Sequence, residues 1–331
     1  MKKIAIIFTF VISCICSLLG NNKIDRMSLV LRHNVVLTKP EALSPLSVGN
    51  GHFCSTVDLT GMQTFPEFYQ QGIPLSIMSE WGWHSFPNVN NYKLFDTFDF
   101  LQASGKRVPY PTKNTSGYEF LRANPHQTGL ALIGLEKIGG SMSLDDLEET
   151  VQTLNLWEGS LDSRFKISGE SVEVTTLCHP YIDRLAYKLK SNLFSSNKLG
   201  IRVRFPFPSA VHSKDPAILE KDDLHLSEMV RGGEQSWVIK HQVDDLVYYC
   251  HIQTSVKATL KEVSKHDFFI ETLDEDEFTL LVDFQQEDPG VDSMDDFAAT
   301  LNVNRTAWFN FWMDGGAVDL SGSKDPRWKE L

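Results

Sequence analysis

The sequence predicts a mainly β fold, a large antiparallel β-sandwich followed by a C-terminal helix. Three observations carry this. From Leu161 to Phe284, apolar and polar residues alternate with a period of two in one short run after another. Gly, Asn, Asp and Ser break these runs at roughly ten- to fifteen-residue intervals, the punctuation of antiparallel sheet. No long helical pattern separates them, which argues against a doubly wound α/β fold, and so many strands in one chain imply two stacked sheets.

The elements follow in order. Lys2 and Lys3 precede an apolar run, Ile4 to Ile12, too short to span a bilayer. Residues 1–20 are therefore read as an export signal and no transmembrane segment is expected. Val11, Ile12, Ser13 and Cys14 loosely resemble a bacterial lipobox, with Cys14 as the lipidated residue. Cleavage between Ser17 and Gly20 is the alternative. Either route gives a periplasmic, secreted or outer-membrane lipoprotein location. Leu29 to Leu37 and Gly51 to Leu59 read as strands. Pro66 to Tyr118, rich in proline, asparagine and aromatics, reads as long loops over the sandwich, where binding residues concentrate. Strands are then expected at 164–168, 171–175, 185–190, 199–205, 236–240, 246–252, 256–261, 268–271 and 277–282.

Met294 to Met313 reads as a helix. Phe297, Leu301, Trp308 and Trp312 fall on one face, Ser293 with Asp296 resembles a capping box, and Gly315 and Gly316 supply a stop. Two tryptophans on one stripe must bury against something large, and a partner domain is expected there. Asp325 to Leu331 reads as the start of another helix. The expected organisation is a signal at 1–20, a sandwich domain at 27–290 and a helical linker at 291–331.

Composition narrows the function. With 331 residues, 42% hydrophobic and 22% charged, the chain is globular and can bury a large core. Its net charge of -12 argues against nucleic acid, whose phosphates need a basic footprint. Outside the signal the cysteines are Cys54, Cys178 and Cys250, which read as buried free thiols rather than a disulfide framework.

The most informative stretch runs from Pro45 to Phe86. It combines the Gly49, Asn50, Gly51 turn with Trp81, Gly82, Trp83 and His84. Rings beside amides and hydroxyls suit a sugar, which offers C–H faces for stacking and hydroxyls for directed hydrogen bonds. Trp81, Trp83 and His84 are the candidate substrate-binding residues, and interior packing is the competing reading. The Gly49 to Gly51 segment is read as a turn, since no phosphate-loop pattern follows.

Asp58, Glu67, Glu80, Asp96, Asp99 and Glu158 are the carboxylates available for acid–base work, which needs two at a fixed separation. None declares itself as catalytic. The ten histidines show no HExxH and no Cys/His spacing for a metal, so no metal and no cofactor is expected. No GxSxG nucleophile motif is present.

A second group of segments resembles a known family. Leu154 to Leu161 (LNLWEGSL), Phe165, Gly169, Val172 to Thr176, His179, Pro180, Asp183, Leu185 and Ser191 resemble the N-terminal β-supersandwich of six-hairpin glycosidases, including family 65-like glycoside hydrolases and phosphorylases. Ser47 to Phe53 resembles their opening strand. Trp308 to Trp312, Gly315, Gly316, Asp319 and Leu320 resemble the linker into their (α/α)6 barrel. The resemblance implies that the catalytic groups lie on a barrel that is not in this sequence, so no catalytic residue carries over. It implies an oligosaccharide or glycoside as ligand, a barrel as partner, and an inactive chain when alone. A stand-alone carbohydrate-binding sandwich and a complete hydrolase are the rival readings.

Overall fold

The structure, a computed structural model, describes residues 24–112, 115–210, 217–272, 274–290 and 294–329. The expected signal, Ser293 and Asp292 lie outside the described residues. Two antiparallel sheets dominate. The larger has nine strands in the order Val35–Leu37, Leu147–Asn155, Ser160–Ile167, Glu170–Cys178, Arg184–Lys190, Glu277–Gln285, Leu246–Thr254, Ser236–Val243, Leu226–Gly232. The smaller has four, Ala258–Ser264, Asp267–Thr272, Leu199–Arg204 and Leu132–Lys137. A three-stranded sheet, Leu46–Gly49, Phe53–Val57 and Ile77–Ser79, adds to the second layer.

Period-two alternation builds the core directly. Leu185, Tyr187 and Leu189, with Leu280, Val282 and Phe284, point inward from adjacent strands of the large sheet. They meet Ile133, Leu135, Ile201, Val203 and Ile270 of the four-stranded sheet. The residues between them point the other way. Leu177, Ala186 and Leu281 stand side by side in register on the outer face. That small apolar stripe receives Met294, Phe297 and Leu301 of the long helix Phe297–Phe311.

The helix starts at Phe297, three residues later than expected, with Asp296 as its N-cap, whose Oδ1 accepts from Ala299 N–H at 2.7 Å. It ends in a wider turn, Trp312–Gly316, with Gly315 at φ 127°. Part of the tryptophan stripe packs within this chain, and both indoles stay partly exposed. Trp308 lies over Gly159, Trp312 Nε1 donates to Leu156 O at 2.8 Å, and Asn304 Nδ2 donates to Glu158 O at 2.6 Å. All three contacts are with the turn joining Leu147–Asn155 to Ser160–Ile167. Exposed apolar residues on the helix include Val303, Phe309 and Phe311, with Met313 in the turn after it.

Three further expectations need correction. Leu29 to Leu37 is not one strand. Arg26–Leu31 is a helix because Asp25 accepts from Ser28 N–H at its start, and only Val35–Leu37 is extended. Pro66 to Tyr118 holds more regular structure than loops, including an exposed hairpin, Phe98–Ala103 with Lys106–Pro111, and the start of a helix, Ser116–Ala123. Cys178 and Cys250 are buried free thiols, but Cys54 is exposed. Among the described residues no helix is long and apolar enough to cross a membrane.

Candidate functional site

The Trp81 to His84 segment divides between surface and interior. Trp81 is half-buried. Its indole donates to Asp183 Oδ2 at 2.7 Å and its ring lies 5.8 Å from Tyr248. Ser79 Oγ donates to the same carboxylate oxygen at 2.5 Å. Trp83 and His84 form a two-residue strand paired with His126 and Gln127. Successive strand residues face opposite ways, so Trp83 is 49% exposed and His84 is 3% exposed. His84 bonds Asp244 Oδ2 at 2.9 Å and His126 Nε2 at 3.0 Å, with Phe86 packed on its ring. Of the three candidate residues, the structure brings Trp83 to solvent and sets Trp81 and His84 into side-chain networks that tie loops to the sandwich.

A cleft of about 470 Å³ opens nearby in sequence, between the Gly49 to Gly51 turn, the loop at Pro180 and Tyr181, and the end of the long helix. Asn50 organises it. Its Oδ1 accepts from the N–H groups of His52 and Phe53, and its Nδ2 donates to the carbonyls of His179 and Ile182. His179 Nδ1 in turn accepts from the N–H of Tyr181 and Ile182 at 3.2 and 3.3 Å. Burial and the nearby Arg184 lower the His179 pKa, which leaves that lone pair free for the task. Gly49 has no room for a side chain, since a Cβ would come within 2.8 Å of Phe53 O. Tyr181, 72% exposed, and Phe311, 53% exposed, flank the opening, with Trp308 deeper. Rings and amides thus line one concave surface, with Asp314 as its single carboxylate.

The carboxylates noted in the sequence are mostly engaged elsewhere. Asp58 is buried and accepts from Thr60 N–H and Phe65 N–H, both at 2.8 Å. Asp96 accepts from Lys93 N–H at 2.7 Å. Glu158 pairs with Arg305 at 3.1 Å, and Glu67 lies 3.7 Å from Arg204. Glu80 forms an exposed pair with His52 at 2.6 Å, which raises the histidine's pKa through the hydrogen bond and the charge of Glu80.

One cluster has no counterpart in the sequence reading. His225, His241 and His266 offer nitrogens, one per ring, that all lie within 4.8 Å of one another. His225 precedes the strand Leu226–Gly232, His241 lies on the neighbouring strand of the same sheet, and His266 sits in the hairpin turn of the four-stranded sheet. Burial, and then repulsion from His266, pushes His225 down to about 4, and burial holds His241 well below its usual value. Their separation in sequence matches no metal spacing. Only the pairing of Ser227 with His241 and the crossing of the two sheets bring them together.

No family model matches the chain, and no curated protein matches it. Among solved structures it is similar to a chain described as a putative kojibiose phosphorylase from human microbiome. That similarity has 10% identity and a TM-score of 0.48, over 84% of this chain and 38% of that one. It is also similar to a family GH92 alpha-mannosidase from Bacteroides thetaiotaomicron, solved with mannoimidazole, at 9% identity and a TM-score of 0.29. There it covers 81% of this chain and 34% of the other. The chain thus spans little more than a third of the length of either structure.

Proposed function

We propose that this chain is the non-catalytic β-sandwich part of a carbohydrate-active enzyme, a glycoside hydrolase or phosphorylase, which supports an (α/α)6 barrel and contributes a wall to its sugar site. The observation that carries the reading is the cleft. Three segments that resemble the glycosidase supersandwich and its linker converge there: Ser47 to Phe53, His179 with Pro180, and Trp308 to Trp312. Their interactions are structural staples, as expected of a scaffold. The surface they leave, with Tyr181, Phe309, Phe311 and Met313 uncovered, is apolar enough for a neighbouring domain. Hydrolysis requires two carboxylates flanking the bond, and among the described residues lining the cleft Asp314 is the one carboxylate.

Trp83, exposed but outside the lining of the cleft, is a further ring offered to the sugar. In the intact enzyme, Trp83→Ala is expected to weaken oligosaccharide affinity by about tenfold, the worth of one stacking ring at ~1–1.5 kcal/mol. Unchanged affinity and kinetics would remove Trp83 from the site. The chain alone is expected to give no turnover of aryl glycosides or disaccharides, with or without phosphate. Even a modest enzyme accelerates such reactions by ~10⁶-fold, so any real activity would be visible and would overturn the scaffold reading.

A stand-alone carbohydrate-binding module is the second reading. It is favoured by one observation: Trp308 and Trp312 rest in part on this chain's own hairpin. Calorimetric binding of an oligosaccharide by the isolated chain, lost in Trp83→Ala, would select it.

A further inference from the structure

We propose that His225, His241 and His266 form a binding site for a zinc-class divalent cation that pins the two sheets together. The rings come from three segments and two sheets, so a shared ion would act as a cross-link through the sandwich.

The hydrogen bonding already orders the rings for this. His266 Nε2 lies 2.9 Å from the backbone carbonyl of Asp222, which can only accept, so Nε2 carries the proton. In the neutral ring Nδ1 then carries the lone pair and accepts from Ser227 Oγ, 2.9 Å away, a hydrogen bond that a bound ion would displace. A histidine whose outer nitrogen donates to a backbone carbonyl while the inner one faces the cluster has the arrangement of a metal ligand and its orienting partner. His241 Nδ1 lies 2.8 Å from the same hydroxyl. The one hydroxyl proton of Ser227 goes to His266 Nδ1, so His241 Nδ1 carries its own proton and His241 Nε2 is bare. His225 Nδ1 is buried and has no hydrogen-bond partner among the described residues. Buried polar atoms without partners are uncommon and point to something that satisfies them.

The nitrogens are near enough for one ion once the rings reorient. Tetrahedral zinc with bonds of ~2.0–2.1 Å sets its nitrogens roughly 3.4 Å apart. The nitrogens here lie within 4.8 Å. His225 and His266 stack at 3.6 Å between ring centroids with their planes 17° apart, so their in-plane lone pairs do not converge as they stand, and the partly buried His225 must turn out of the stack about its side-chain bonds to share an ion. The backbone of His266 is held in the left-handed region at φ 62°, a conformation that histidine adopts at some cost and that aims its ring at the other two. The Ser227 hydroxyl or a water would complete four ligands. Imidazole with oxygen suits zinc, and cobalt(II) serves as its visible reporter.

The test uses the untagged full chain, metal-stripped, with zinc chloride and then cobalt(II) as probes. About one zinc per chain is expected by calorimetry, with a rise in thermal midpoint and cobalt absorption bands in the visible. His225→Ala and His266→Asn are the variants. Asparagine tolerates the left-handed backbone, and His225 is only partly buried and precedes its strand, so apo stability should survive. Each variant is expected to lose at least tenfold in zinc affinity (about 1.4 kcal/mol) and the rise in midpoint. Absence of stoichiometric zinc would overturn the proposal, as would equal binding by wild type and both variants. If His266→Asn fails to fold, His225→Ala decides alone.

Discussion

At Asp58 the chain sets a carboxyl in its interior and holds it with the N–H groups of Thr60 and Phe65. Burial outweighs those hydrogen bonds and pushes its pKa up to about 6 from 3.8. The folded state therefore keeps this proton over a range where the unfolded chain has released it. This group's contribution to stability falls as pH rises from about 4 to 6, by on the order of 2–3 kcal/mol, and levels off above. Asp58→Asn does not titrate. Urea melts of both proteins are expected to show wild type losing ground to the variant across that range, and a flat difference would contradict the assignment. At this scale the sequence was only partly informative. Asn50 was visible as a turn residue, but nothing local showed that its amide would bridge two loops. The indoles of Trp81 and Trp83 look alike in the sequence, and only the Asp183 carboxylate separates them. His225, His241 and His266 were illegible because strand pairing, not spacing, assembles them.

Among the elements, the long helix and its seat on Gly159 are the most directly testable. A Cβ there would lie 1.8 Å from Trp308 Nε1, and φ is +59°. Gly159→Ala is expected to cost about 2–4 kcal/mol and to shift tryptophan emission to the red as the helix lifts. An unchanged urea midpoint and spectrum would show that the helix does not depend on this contact. Most strands were legible from alternation, including Glu170–Cys178 and Glu277–Gln285. Two were hidden by bulges. Leu147–Asn155 shifts register between Glu148 and Val151, with Glu149 at positive φ. Leu226–Gly232 shifts between Met229 and Arg231. A bulge adds one residue, which flips the side-chain faces and erases the period.

For the whole molecule, sheet stacking followed from the number of strands, whereas the destination of each apolar face did not. The tryptophan stripe is partly covered by the chain's own hairpin, and exposed apolar surface lies around Tyr181, Phe309, Phe311 and Met313. The isolated chain is expected to self-associate through that surface, and replacing Phe309, Phe311 and Met313 with polar residues should restore a monomer in sedimentation experiments. A monodisperse wild-type monomer would speak for the stand-alone module. The central claim, that this sandwich serves a catalytic barrel, is tested most directly by reading the coding DNA beyond the Leu331 codon. The account predicts, in frame or in an adjoining frame, a helical barrel carrying the paired carboxylates. A stop codon with no such barrel in the adjoining DNA would contradict it.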